Sequence, residues 1–355
     1  MTVGAWFVVS DLHLDGRPCA RGTDTAFPRF LETVVAASTA ERRTLVLLGD
    51  TFDLQGPVRQ TPAVVVERLK SLGDAHAEIL RALAGCVRSG IELRVVGGNH
   101  DIEVTRPAVA AQLTMLLGLD PGHPGVQFSP WVVHEPGVLY AEHGSQHHEL
   151  NRMPTLLSVV ARGDACTQLP VTPLAAASRA RSWCPADEAV VARVVRSVWA
   201  TRREERRART TWYRELLDHE AADLGVSSRA LADLAAVTRF KVGPAVVASA
   251  RRTAERLVGV HHPGSHYAAR AAAIHRVLVG YESPAAAYVF GHNHRAGRVD
   301  LPGEPPAAYL NAGTWSADVR GRGPDRVDGK LFPYVRVFAT SAGVGADVAF
   351  WRSSP

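Results

Sequence analysis

Along the first 150 residues, short continuous apolar runs alternate with stretches in which apolar side chains recur every three to four positions. Continuous runs of this kind mark strands buried on both faces, and the periodic stretches mark helices that cross back over a sheet. The pattern therefore predicts an α/β fold. Trp6 to Val9, Leu45 to Leu48 and Leu93 to Val96 read as three such strands. Between the second and third, Thr61 is placed to cap and Pro62 to open a helix whose apolar positions include Val65, Leu69, Leu72, Ile79, Leu80 and Leu83. Trp131 to His134 and Val138 to Ala141 flank Glu135-Pro136-Gly137 as the arms of a hairpin.

From about Asn151 to Ser283 the texture changes to Ala, Arg, Val and Leu at helical spacing, and after Pro284 the β texture returns in Ala287 to Phe290, Ala308 to Leu310, Tyr334 to Phe338 and Val348 to Trp351. The expected organisation is a core formed by residues 1–150 and 284–355, interrupted by a helical insertion, or cap, over 151–283. There is no internal repeat and no low-complexity tract.

Composition adds little to this picture but excludes some classes. At 355 residues and 46% hydrophobic, the chain can bury a substantial core. No apolar run approaches the roughly 18 to 20 residues a membrane span needs. The stretch before Ala5-Trp6-Phe7-Val8-Val9-Ser10 has neither a basic region nor an apolar core of the export type, so the expected location is cytoplasmic. Cys19, Cys86, Cys166 and Cys184 lie far apart, which argues for free thiols over a disulfide framework or a paired-cysteine zinc site. The formal charge of +5 comes almost wholly from Arg, since Lys occurs only at Lys70, Lys241 and Lys330; such a balance suits anionic substrates.

The chemistry lies in a set of polar blocks at or near the ends of predicted strands. In order they are Asp11-Leu12-His13, Gly49-Asp50 to Asp53, Gly98-Asn99-His100-Asp101, His143-Gly144 and Gly291-His292-Asn293-His294. One such block means little alone. Strand ends converge on one edge of an α/β sheet, however, so distant blocks can meet there. Mixed carboxylate, carboxamide and imidazole donors suit divalent ions such as Mn²⁺, Fe²⁺ or Zn²⁺. Gly49, Gly98, Gly144 and Gly291 each sit beside a candidate donor, where the backbone must turn sharply.

These five blocks, in this order, resemble the signature of the calcineurin-like metallophosphoesterase superfamily over about 1–150 and 284–355. The resemblance implies a four-layer sandwich of two mixed β-sheets flanked by helices. It further implies one metal ion held by Asp11, His13 and His294, a second held by Asn99, His143 and His292, and Asp50 bridging them. The ions are expected to be Mn²⁺, with Fe²⁺, Zn²⁺ or Mg²⁺ as alternatives. A hydroxide bridging them would attack phosphorus in line, and His100 would contact the phosphate and protonate the leaving group. Asp101 would hold the His100 imidazole, while Asp53 would support a ligand; simple loop capping is the other reading of both carboxylates.

Ser10-Asp11-Leu12-His13-Leu14, Gly49-Asp50-Thr51-Phe52-Asp53-Leu54 and Asn311-Ala312-Gly313-Thr314-Trp315 look most like the branch containing UDP-2,3-diacylglucosamine hydrolases. That branch usually carries Arg where this chain has His100, and a much shorter helical segment. What carries over is therefore the broader activity, hydrolysis of a phosphodiester or pyrophosphate in a phosphorylated small-molecule or lipid-linked substrate. A nuclease of the same superfamily and a catalytically silent metal-binding scaffold are the alternatives. In the insertion, a dense run including Arg202 and Arg206, followed by Trp212 and Tyr213, offers contacts for a polyphosphate, a nucleic acid backbone or an anionic membrane surface. A solvated helix face is the plainer reading of that run. His147 and His148 follow His143 so closely that one of them is expected to face the site, and His148 is the candidate substrate contact.

Overall fold

The computed structural model describes residues 2–19, 22–54, 61–147, 151, 265–316 and 331–353. Successive strand side chains point to opposite faces. In β1 (Thr2–Val9), Trp6 and Val8 face one apolar cluster while Ala5, Phe7 and Val9 face another, which is why the run is apolar without alternation. The same division holds in β2 (Arg42–Leu48), where Leu45 and Leu47 go one way and Val46 and Leu48 the other. Further along the chain come β3 (Glu92–Val96), β4 (Val126–Ser129), β5 (Val132–Glu135), β6 (Leu139–Glu142), β7 (Ala287–Phe290), β8 (Gly297–Leu301), β9 (Ala307–Asn311), β10 (Leu331–Thr340) and β11 (Gly343–Arg352).

They form two mixed sheets. The first has the order β11-β10-β1-β2-β3-β4, with β1 to β4 parallel and β10 and β11 antiparallel. The second has the order β5-β6-β7-β9-β8, with β6, β7 and β9 parallel and an antiparallel strand at each edge. Trp6, Val8, Val46, Leu48 and Val96 of the first sheet meet Val133, Leu139, Val289 and Leu310 of the second in a shared apolar layer. Each such side chain contributes about 1.5–3 kcal/mol by burial.

Helices cover the outer faces. The first sheet carries α1 (Thr23–Phe30) with a π-helical extension (Leu31–Ala36), α2 (Pro62–Ala75), α3 (Ala77–Arg88) and α4 (Pro107–Leu116). The second carries α5 (Ser265–Gly280), whose Tyr267, Ala271, Ile274 and Leu278 pack with Tyr288, Phe290 and Tyr309. The expected four-layer α/β fold is thus observed. Helix α5 falls in the segment expected as the cap and packs directly on the second sheet; residues 152–264 of that segment lie outside the described residues.

Thr61 caps α2 as expected, its hydroxyl accepting the Val64 N–H at 3.4 Å. The single helix expected to follow is instead two, broken at His76 (φ −123°). His76 Nδ1 lies 2.5 Å from Asp24 Oδ1, and its Nε2–H donates to the Asp15 carbonyl at 2.6 Å, so its side chain is tied to the loop after β1 and to α1.

Candidate metal centre

Five loops leave the carboxyl ends of β1, β2, β3, β6 and β7 and meet where the two sheets face each other. Backbone hydrogen bonds register them: Asp11 N–H donates to Gly49 O, His13 N–H to Asp50 O, and Gly291 N–H to His143 O. The contact between the second and third loops is close. A Cβ on Gly49 would lie 2.8 Å from Gly98 Cα, and one on Gly98 would lie 2.5 Å from Asp50 N, so both positions require glycine.

Backbone strain is concentrated here. Among the described residues, six non-glycine residues have positive φ, and five of them are Asp11 (56°), His13 (50°), Asp50 (51°), His292 (65°) and His294 (61°). Each left-handed conformation costs about 1–3 kcal/mol and persists only where its surroundings enforce it.

The seven candidate donors converge in two adjoining sets. In the first, His294 Nε2 lies 2.9 Å and His13 Nε2 3.7 Å from Asp11 Oδ1, and the two imidazole nitrogens are 3.4 Å apart. In the second, His143 Nε2 lies 3.2 Å from Asp50 Oδ2 and 3.2 Å from Asn99 Oδ1, with His292 in the same group. Asp50 Oδ2 faces both sets, being also 3.9 Å from His13 Nε2 and 3.9 Å from His100 Nε2. The carboxylates of Asp11 and Asp50 form a closed floor at 0% and 2% side-chain exposure, and His13, His100 and His294 form an open rim at 14%, 20% and 24%.

The tautomers are set from outside the cluster. The Nδ1–H of His143 donates to the Leu48 carbonyl at 2.9 Å, which turns Nε2 toward Asp50 and Asn99 as the nitrogen that takes up either a second proton or an ion. His13 Nδ1 lies 3.3 Å from Asp53 Oδ1, and its Nε2 faces His294 Nε2. Nitrogens turned toward one another in this way need a cation or a proton between them. Donors bound to one ion at about 2.0–2.2 Å lie roughly 3–3.6 Å from each other, and the spacings in both sets fit that geometry. Cys19, Asp24 and His76 also cluster, but His76 and Asp24 touch at 2.5 Å, the spacing of a shared proton.

Charge accounts for the titration behaviour of the metal-free centre. Burial raises the Asp11 carboxyl, yet the imidazoles of His294 and His143 pull it well below the usual carboxylate range. Asp50 is likewise depressed against burial by His143 and His100. Burial lowers His143, but the charges of Asp50 and Asp11 lift it to about 9. His13 and His100 rise against burial in the same way, His13 through Asp11 and Asp53, His100 through Asp50 and Asp53.

One expected role changes. His100 Nδ1 lies 2.7 Å from Asp53 Oδ1, so Asp53, rather than Asp101, holds the imidazole. Asp101 is fully buried and accepts the backbone N–H groups of Gly98 (2.8 Å), Asp50 (3.0 Å), Thr51 (2.7 Å) and Phe52 (3.1 Å), clamping the second and third loops together. Burial and the Asp50 charge push its carboxyl up to about 6. His147, one of the two histidines of which one was expected to face the site, has its Nε2 2.6 Å from buried Glu142 and its ring stacked on Phe290, and it supports the strand that delivers His143. Arg202, Arg206 and His148 lie outside the described residues.

Two features had no signal in the sequence, and a third was visible there only as a motif. Asn151 Nδ2 lies 3.1 Å from His292 Nε2. Tyr267 of α5 sets its ring edge-to-face against His292, with centroids 6.4 Å apart. The loop Asn311–Trp315 reaches two donor loops: Asn311 Nδ2–H donates to Gly291 O at 2.8 Å, while Thr314 Oγ1–H and Trp315 N–H donate to Asp11 O at 2.8 and 3.2 Å. Among the described residues, no helix is long and apolar enough to cross a membrane.

No family model matches the chain, and no curated protein matches it. Two solved structures of Vps29 from Entamoeba histolytica are similar to it. The wild-type protein complexed with Zn²⁺ has a TM-score of 0.28 at 11% identity, covering 98% of each chain. A single mutant of the same protein has a TM-score of 0.26 at 12% identity, covering 98% of this chain and 99% of that one. Likenesses of this size bear on neither the site nor its activity.

Proposed function

We propose that the chain is a metal-dependent hydrolase of the calcineurin-like metallophosphoesterase type, cleaving a phosphodiester or pyrophosphate bond. One observation carries this reading: Asp50 Oδ2, buried, lies within 3.2 to 3.9 Å of His143, His13 and His100, so one carboxylate oxygen stands between two donor sets and a third imidazole. Asp11, His13 and His294 would hold one divalent ion, Asn99, His143 and His292 a second, and Asp50 both. Mn²⁺ is the first choice for such mixed donors, with Fe²⁺, Zn²⁺ and Mg²⁺ as alternatives. When bound, such ions neutralise the non-bridging phosphate oxygens and acidify water.

The chain's own residues supply the rest. Asp53 accepts the Nδ1–H of His100, which directs Nε2 into the site and favours the cationic ring. In hydrolysis a water oxygen bonds to phosphorus, the bond to the leaving oxygen breaks, His100 gives its Nε2 proton to that oxygen, and the water releases a proton to solvent. Arg202, Arg206 and His148 remain the proposed contacts for the remote part of a nucleotide- or lipid-linked substrate.

The test is hydrolysis of bis(4-nitrophenyl) phosphate by metal-stripped protein before and after Mn²⁺ is added. Turnover that depends on the ion and vanishes in Asp50→Asn is expected. A protein that binds divalent ions yet turns over neither this diester nor a nucleoside-diphosphate lipid would be a scaffold, and preferential turnover of single-stranded DNA would make it a nuclease.

A further inference from the structure

We infer that Tyr267 is a substrate contact, its hydroxyl donating to a non-bridging phosphate oxygen held at the centre; this deepens the metallophosphoesterase reading above and rests on it. The residue lies in the first turn of α5. That turn is fixed to the loop after β6, because the Nε2–H of His266 donates to the His147 carbonyl at 3.0 Å. Two further rings hold the Tyr267 ring edge-to-face, Phe290 at the end of β7 with centroids 6.3 Å apart and His292 in the loop that follows with centroids 6.4 Å apart. The path from Phe290 to His292 runs from the sheet to the donor loops, so the phenol bridges the core and the rim of the centre.

A buried tyrosine hydroxyl ordinarily finds a hydrogen-bond partner. That of Tyr267 finds none among the described residues, although the side chain is only 9% exposed. Nor is it sealed in, as the partnerless hydroxyl of Tyr140 is, so the open part of the residue includes its oxygen. Burial, and after it the neighbouring Tyr309 and Asp11, raise its pKa, which keeps it a neutral O–H donor and sets it within the field of the first donor set. The Tyr309 hydroxyl is engaged already, accepting the Asn311 Nδ2–H at 3.1 Å. A donor that is fixed in direction, open and without a partner suits a ligand rich in acceptors, and phosphate oxygens are such acceptors. The two donor sets divide the work. His100 stands beside His13 of the first set, centroids 4.8 Å apart, and serves the leaving oxygen, whereas Tyr267 stands beside His292 of the second and serves an oxygen that stays on phosphorus.

Tyr267→Phe keeps the ring and removes only the oxygen. Zn²⁺-loaded protein titrated with inorganic phosphate in a calorimeter should show phosphate binding about 10- to 100-fold weaker in this variant, the usual loss for a hydrogen bond to a charged group. Its Zn²⁺ stoichiometry and affinity, and the Tm of its metal-free form, should match the wild type, which separates contact with phosphate from support of His292. Unchanged phosphate affinity, or a fall in Zn²⁺ affinity large enough to account for the weaker phosphate binding, would overturn the contact while leaving the metal centre standing. A wild type that binds Zn²⁺ but no phosphate would overturn the contact together with the phosphoesterase reading, and one that binds no ion would overturn the metal centre and this inference with it.

Discussion

Asp53 Oδ1 is shared by two imidazoles, His100 at 2.7 Å and His13 at 3.3 Å, and burial has not kept it neutral: the two rings hold its carboxyl far below the usual range. One oxygen therefore orients both a proposed proton donor and a proposed ligand. Asp53→Ala should lower kcat about 10²- to 10⁴-fold on a substrate with an alkoxide leaving group, and clearly less on a nitrophenyl ester, whose leaving oxygen needs little protonation. His100→Ala should show the same split while retaining its ions, and steady-state kinetics with metal analysis would check both. Equal losses on the two substrates would remove His100 from the acid role. The sequence reading gave the His100 imidazole to Asp101 and a ligand to Asp53, whereas it is Asp53 that holds the imidazole. Asp101 is the chain neighbour of His100, yet four backbone N–H groups from two loops claim its carboxylate, and that convergence depends on the strand pairing of β2 with β3.

Strands β1, β2 and β7 were readable because both faces are buried, which leaves an unbroken apolar run with little else to explain it. Strand β8 was not readable, because Gly297-Arg298-Val299-Asp300-Leu301 is an exposed edge whose pairing with β9, rather than burial, makes it a strand. The break between α2 and α3 was hidden for a related reason: apolar periodicity runs through His76, and what interrupts the helix is contact with Asp24 and Asp15, remote in sequence. The loop after β9 belongs with these. Its motif stood out in the sequence, but its work is done by donors to the carbonyl of Asp11, a residue held at φ 56°. Thr314→Val keeps the shape and removes a donor, leaving a buried acceptor less well satisfied, which costs about 1–3 kcal/mol. The expected outcome is a lowered Tm together with weaker binding of one ion, both restored in Thr314→Ser. Unchanged ion affinity in Thr314→Val would show that Asp11 is held in place without this loop.

The donor sets sit on the seam between the two sheets, with β1, β2 and β3 delivering Asp11, Asp50 and Asn99 from one and β6 and β7 delivering His143 and His292 from the other. Ions bound there would tie the sheets together, so their removal should be felt by the whole fold, and in a pH-dependent manner. His143 is the group to follow. In the metal-free protein its pKa stands near 9, raised by Asp50 and Asp11 above its ordinary 6.5 despite burial. A histidine raised on folding stabilises fully below its unfolded pKa, and that contribution fades as pH rises from 6.5 through 9, here by roughly 3 kcal/mol. Ion binding has the opposite sign, because the imidazole must lose its proton before it can ligate. Across this window the metal-free protein should therefore lose stability while the affinity for the ion climbs. Expressed as the Tm with saturating Zn²⁺ minus the Tm in chelator, the gain should be small near pH 6 and should grow steadily to about pH 9. Differential scanning fluorimetry at fixed free Zn²⁺ would measure it. A gain that is flat or falls with pH would show that His143 does not surrender a proton to the ion, and would remove it from the donor set.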